Sequence, residues 1–83
     1  MMVSVIGAGY VGLVAACCLA HSGHEVTCIE RDEQKREKIK KGQLPFYEDG
    51  LEELLAKGLE SGRLNFFADL PRAMNAAVTM VAT

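Results

Sequence analysis

No basic block occurs anywhere in this chain. Nine lysines and arginines stand against eleven acids, for a formal charge of −2, and nothing points to a nucleic-acid partner. No charged segment precedes the first apolar run, so the mark of a secretory signal is missing. Ser4 and a cluster of glycines interrupt that run, and charges are frequent from Glu25 onward, which argues against a membrane span. Cysteine is scarce and odd in number. Cys17, Cys18 and Cys28 make a poor disulfide framework. Cys17 and Cys18, adjacent on a helix, would point about 100° apart, unlike a Cys-x-x-Cys metal pair. The simplest reading is three small buried apolar residues in a reducing cytoplasm. The two histidines, His21 and His24, flank Gly23 at the expected end of a helix, where a cation suits the dipole; nothing marks either as a metal ligand or a catalytic group. No repeat or low-complexity segment is visible. What remains is a globular composition, 49% apolar and 24% charged, in a chain long enough for one domain at most. A domain of this size buries roughly 60–65% of its unfolded surface.

Against this background one feature is prominent. Gly7-Ala8-Gly9-Tyr10-Val11-Gly12 follows the apolar run Val3–Ile6 and opens a second apolar stretch, Leu13 to Ala20. A Gly-x-Gly-x-x-Gly alone is a weak signal. Here it lies between a strand-like and a helix-like segment, and an acid, Glu30, ends the next strand-like run 18 residues after Gly12. That context predicts a dinucleotide-binding turn. Gly7 permits a sharp exit from the strand, Gly9 lets backbone approach a pyrophosphate, and Gly12 allows close helix–sheet packing. The N–H groups of Tyr10 and Val11 fall at the helix start, where donors lack intrahelical partners and the dipole favours an anion.

The rest of the chain alternates. Residues 3–6 read as a buried strand. Residues 10–22 read as a helix, apolar almost all round and hence sandwiched, with Gly23 as its stop. Residues 25–30 form a second strand. Asp32 caps a charged helix over 33–41 whose one clear apolar contact is Ile39. Residues 43–50, with two aromatics and a proline, form an ordered loop rather than a tether. Asp49 with Glu52 resembles a capping box. Leu51, Leu54, Leu55 and Leu59 make the apolar stripe of a further helix, ended by Gly62. Residues 63–67 read as a third strand, Asp69 caps a short helix with Pro71 in its first turn, and residues 77–82 form a fourth strand. The fold expected is α/β, a Rossmann-like three-layer parallel sheet, partial, with about four strands ordered 3-2-1-4. An apolar fourth strand at the edge favours association through that edge, with another part of the protein or as a homo-oligomer.

Glu30 is placed to accept hydrogen bonds from the adenosine ribose hydroxyls. Its charge repels a 2′-phosphate, which favours NAD over NADP. Arg31 pulls the other way, since a basic residue there could attract that phosphate. Lys35, one turn into the charged helix, can reach the same region or simply be a solvated lysine.

These residues together resemble the UDP-glucose/GDP-mannose dehydrogenase family, in particular its UDP-glucose 6-dehydrogenases. The resemblance rests on Val5-Ile6-Gly7-Ala8-Gly9-Tyr10-Val11-Gly12-Leu13-Val14, on Gly23-His24-Glu25-Val26-Thr27-Cys28, on Leu44-Pro45-x-Tyr47-Glu48-x-Gly50-Leu51-Glu52, and on Ser61-Gly62-Arg63-Leu64 with Asp69-Leu70. It covers nearly the whole chain, and Tyr47 leans towards the UDP-glucose branch. It implies an oxidoreductase that oxidises a sugar-nucleotide primary alcohol to an acid in two NAD-dependent steps. It implies that Gly7, Gly9, Tyr10, Val11 and Gly12 hold the pyrophosphate, that Glu30 binds the adenosine ribose, and that Lys35 lies nearby. Three positions depart from the family: Glu30 stands for its usual Asp, Asp49 for a proline, and Ala68 for a Thr. The family's nucleophilic cysteine, with its lysine and asparagine partners, matches nothing among residues 1–83. These residues are therefore expected to be the N-terminal part of the NAD-binding domain, ending after the fourth strand, cytoplasmic and inactive alone. A free-standing dinucleotide-binding or interaction module, and a GDP-mannose 6-dehydrogenase-type fragment, are the alternatives.

Overall fold

The computed structural model describes residues 2–69 and 78–81. Four parallel strands, β1 (Met2–Ile6), β2 (Glu25–Ile29), β3 (Leu64–Phe67) and β4 (Val78–Val81), form one sheet in the order β3-β2-β1-β4. Among the described residues three helices lie between them in sequence: α1 (Tyr10–His21), α2 (Glu33–Lys40) and α3 (Leu51–Ser61). The α/β, parallel architecture expected from the alternation is the one observed. The short helix expected after Asp69 lies outside the described residues.

The registers show why the sheet holds together. Val3 pairs with Val26 and with Val78, and Val26 with Leu64, so the strands start level. β1 is interior, and Val3, Ser4 and Val5 along it are all buried. The core adds Leu13, Ala16 and Cys17 of α1, Val26 and Cys28 of β2, Ile39 of α2, Leu51 and Leu55 of α3, and Leu64 and Phe66 of β3. The leucine stripe of α3 faces this core as expected, with Leu54 and Leu59 packed at its margin. Gly58 lets α3 come close: a Cβ there would meet the Leu64 side chain at 3.0 Å.

Three expectations are corrected. First, α1 is not apolar-buried all round. Gly12, Leu13, Ala16, Cys17 and Ala20 are buried, while Tyr10 is 53% and Val11 66% exposed. Second, the same geometry divides the cysteines. Cys17 is buried and its neighbour Cys18 is exposed, because one helical residue rotates by about 100° off the buried face. Third, Asp49 and Glu52 do not form a capping box. The residue before α3 is Gly50, in the left-handed region at φ 80°, and α3 has no side-chain cap. Asp49 sits one residue too early, and its carboxylate instead accepts from the Tyr47 hydroxyl at 3.5 Å. Asp32 does cap α2 as expected, accepting from the Lys35 N–H at 3.0 Å.

Burial pushes the Cys17 thiol up to about 11, with a smaller contribution from Cys18. Burial, reinforced by the Glu30 carboxylate, pushes Cys28 up to about 12. At mildly alkaline pH a thiol reagent should therefore modify Cys18 quickly in the native chain, and all three cysteines only after unfolding. Modification of Cys17 or Cys28 at the rate of Cys18 would contradict this burial.

Candidate functional site

The candidate site forms where β1 and β2 end side by side. The Gly7 N–H donates to the Ile29 carbonyl at 2.9 Å, and the Glu30 N–H to the Phe67 carbonyl at 2.9 Å. The sheet ladder thus continues one residue past each strand and sets Gly7 beside Glu30. Gly7 then turns the chain with φ 99°, a conformation a side chain would strain. Ala8, fully buried, follows, and Gly9 precedes the first residue of α1.

Glu30 clasps this turn. Its Oε1 accepts from the Ala8 N–H at 3.2 Å, and its Oε2 from the Asp32 N–H at 3.0 Å. Lys35 Nζ lies 3.6 Å from Oε1. The Glu30 side chain is only 14% exposed, so it is no freely solvated glutamate. Behind it, Arg36 Nη1 donates to the Glu30 carbonyl at 2.9 Å and ties α2 to the end of β2. A carboxylate offers about four lone-pair sites, so two accepted N–H groups leave capacity for two more donors. Arg31 is exposed.

The start of α1 has the properties of an anion cradle. Gly9 supplies no side-chain cap, and no acid sits in the first turn. The Leu13 N–H is the first to bond back, to the Gly9 carbonyl at 2.9 Å, so the donors of Tyr10, Val11 and Gly12 precede the helical ladder. A Cβ built on Gly9 meets nothing within 4 Å. The backbone there faces open space, which is what the close approach of a pyrophosphate needs. The turn, the helix start, Glu30 and Lys35 fit a dinucleotide. A concavity of about 480 Å³ borders Asp32 and Lys35, between α2 and residues 43–45.

The turn residues, Glu30 and Lys35 thus lie together. Sequence reasoning missed three groups: the Ala8 N–H, Arg36, and the side chain of Tyr10. The Tyr10 hydroxyl donates to Glu48 Oε1 at 2.7 Å, and its ring lies 5.0 Å from that of Phe46. The hydrogen bond to Glu48, and then its charge, raise the Tyr10 pKa above the ordinary tyrosine value. No spacing in the sequence signals a pair 38 residues apart. Among the described residues no group of three or more His, Cys, Asp or Glu is arranged to hold a metal, and no helix is long and apolar enough to cross a membrane.

Comparison with known proteins supplies the wider frame. The family model described as the NAD binding domain of the UDP-glucose/GDP-mannose dehydrogenase family matches residues 1–83. The chain is 51% identical over 77 residues to a UDP-glucose 6-dehydrogenase of Rhizobium meliloti, covering 93% of this chain and 18% of that protein. It is 43% identical over 76 residues to a GDP-mannose 6-dehydrogenase of Pseudomonas syringae, covering 92% and 17%. Among solved structures it superposes on GDP-mannose dehydrogenase from Pseudomonas aeruginosa with a TM-score of 0.94 and 38% identity, covering 100% of this chain and 19% of that one. The chain thus spans less than a fifth of each of these proteins.

Two glycines separate folding from binding. Gly7→Ala should destabilise the chain by on the order of 1–2 kcal/mol, because its φ of 99° is closed to side chains. Gly9→Ala should leave stability nearly unchanged, since Gly9 has an ordinary φ of −77° and open space around it. Denaturant melts of the two variants check this; equal losses would contradict it.

Proposed function

This chain belongs to the UDP-glucose/GDP-mannose dehydrogenase family, matching its NAD-binding domain, and from that premise we propose how its own residues hold NAD. The pyrophosphate lies at the start of α1, on the N–H groups of Tyr10, Val11 and Gly12, with Gly9 giving it room and Gly7 making the turn. Glu30 accepts from the adenosine ribose hydroxyls, and Lys35 holds the Glu30 carboxylate in place. The observation that carries this reading is the uncapped helix start with open space at Gly9, adjoining the clasped carboxylate of Glu30. No basic side chain is required on the phosphates, because the helix dipole and free N–H groups supply the positive potential.

NAD, when bound, supplies the hydride acceptor. We propose that the whole protein uses it to oxidise the primary alcohol of a sugar nucleotide. UDP-glucose is preferred over GDP-mannose, on Tyr47 and on the higher identity to the UDP-glucose enzyme. These 83 residues, the proposed N-terminal part of the cofactor domain, do the binding. Cys17 and Cys28 are held protonated by burial, and Cys18 faces a shallow apolar groove with Val14, Leu51 and Leu54. None of the three is set up as a nucleophile. Free thiols suit a cytoplasmic setting, and the edge strand β4, with Val81 67% exposed, is the proposed route of association with other chain.

The test is an NMR titration of the chain with NAD. Amides between Gly7 and Leu13 should shift, and Gly9→Val should abolish the shifts while the fold persists. Unmoved amides in the unmutated chain at millimolar ligand would refute the reading. The 83 residues alone should form no reduced nicotinamide from UDP-glucose and NAD.

Cofactor preference follows from charge. The unmutated chain should bind NAD more tightly than NADP. Glu30→Ala should narrow that preference by about 1.5–3 kcal/mol, the worth of a hydrogen bond to a charged group. Equal affinity of the unmutated chain for both cofactors would contradict the role of Glu30 and point to Arg31.

A further inference from the structure

The crossover from β2 to β3 is longer than the sheet requires. α3 alone, at 11 residues, spans roughly 16 Å, enough to return the chain along strands of four or five residues. α2 and residues 43–50 are therefore an excursion within the crossover, one that leaves β2 at its carboxyl end, the end where the glycine turn opens. The excursion comes back at Tyr10. Along residues 44–48 the chain alternates: Leu44, Phe46 and Glu48 are half-buried, whereas Pro45 and Tyr47 are exposed, Tyr47 to 87%. Glu48 is the charged member of the inner set. Its partner is the hydroxyl of Tyr10, at 2.7 Å, and the Tyr10 ring rests on Phe46 with the planes tilted by 52°.

Tyr10 is also the first residue of α1, and its own N–H is among the donors proposed to meet the pyrophosphate. A helix start without a side-chain cap loses one of the groups that normally hold its first turn. Gly9, kept free of a side chain for the ligand, cannot supply it. We propose that Tyr10 and Glu48 form a latch that keeps the first turn of α1 in order in place of that cap, making Tyr10 a positioning residue for the dinucleotide. Residues 43–50 are then the support of the phosphate cradle, held to it by one hydrogen bond and one ring contact. The proposal rests on the cradle reading given above.

The test uses the whole chain with four variants: Tyr10→Phe, which keeps the ring contact and removes the hydroxyl, Glu48→Ala, these two combined, and Glu48→Gln. Tyr10→Phe should stay folded and show faster hydrogen exchange at the amide of Leu13, the first to bond back across the turn, to the Gly9 carbonyl. Its affinity for NAD should fall roughly three- to tenfold, the worth of one hydrogen bond. Glu48→Ala should do the same, and the double variant should be no worse than either single one, because both remove one interaction. Glu48→Gln, which keeps an acceptor oxygen, should restore part of the loss. Unchanged exchange at Leu13 in Tyr10→Phe would overturn the latch, as would losses of NAD affinity that add in the double variant. An unmutated chain that binds no NAD sinks the cradle reading itself; the exchange rates still decide whether the latch orders the turn.

Discussion

Everything at the carboxyl end of this sheet depends on β1 and β2 ending in step. Ile6 pairs with Ile29, and the next hydrogen bond runs from the Gly7 N–H to the Ile29 carbonyl. That single alignment places the turn and the acid side by side. A slip of one residue would send every side chain of β2 to the opposite face and carry Glu30 away from the turn. With the alignment in place, one carboxylate can hold the N–H of Ala8 on one side and that of Asp32 on the other. The turn after β1 and the start of α2 are thereby fixed to each other through Glu30.

The consequence is a site built chiefly of backbone. The end proposed for the phosphates offers N–H groups and open space at Gly9, while the charged side chains gather at the other end, around Glu30 and Lys35. This division separates two tasks. Positive potential for an anion comes from the helix start, which any sequence with the right turn provides. The carboxylate proposed to discriminate between similar nucleotides has its position set by two N–H groups, a nearby ammonium and, through its own carbonyl, Arg36.

Features governed by local backbone rules were legible in the sequence. A left-handed turn at Gly7, an Asp cap at Asp32, a leucine stripe from Leu51 and a strand ending at an acid each follow from a few adjacent residues. Glu30 and Lys35 lie beside the turn that begins at Gly7, as the strand and helix spacing implies. Features that depend on how distant segments meet were not legible. Arg36 reads as one more charge on a solvated helix until α2 folds back onto the end of β2. Tyr10 and Glu48 carry no mark of each other. Cys18 is apolar by composition yet exposed, because exposure follows the angle around α1 rather than residue type. Asp49 had the right residue type for a cap at the wrong position, since the chain uses the left-handed Gly50 to enter α3.

A crystal structure of this chain with NAD tests the central claim most directly. The account predicts the pyrophosphate within hydrogen-bond distance of the N–H groups at the start of α1, over Gly9, with a ribose on the Glu30 carboxylate. A dinucleotide found instead in the concavity between α2 and residues 43–45, leaving Gly9 and Glu30 untouched, would contradict it.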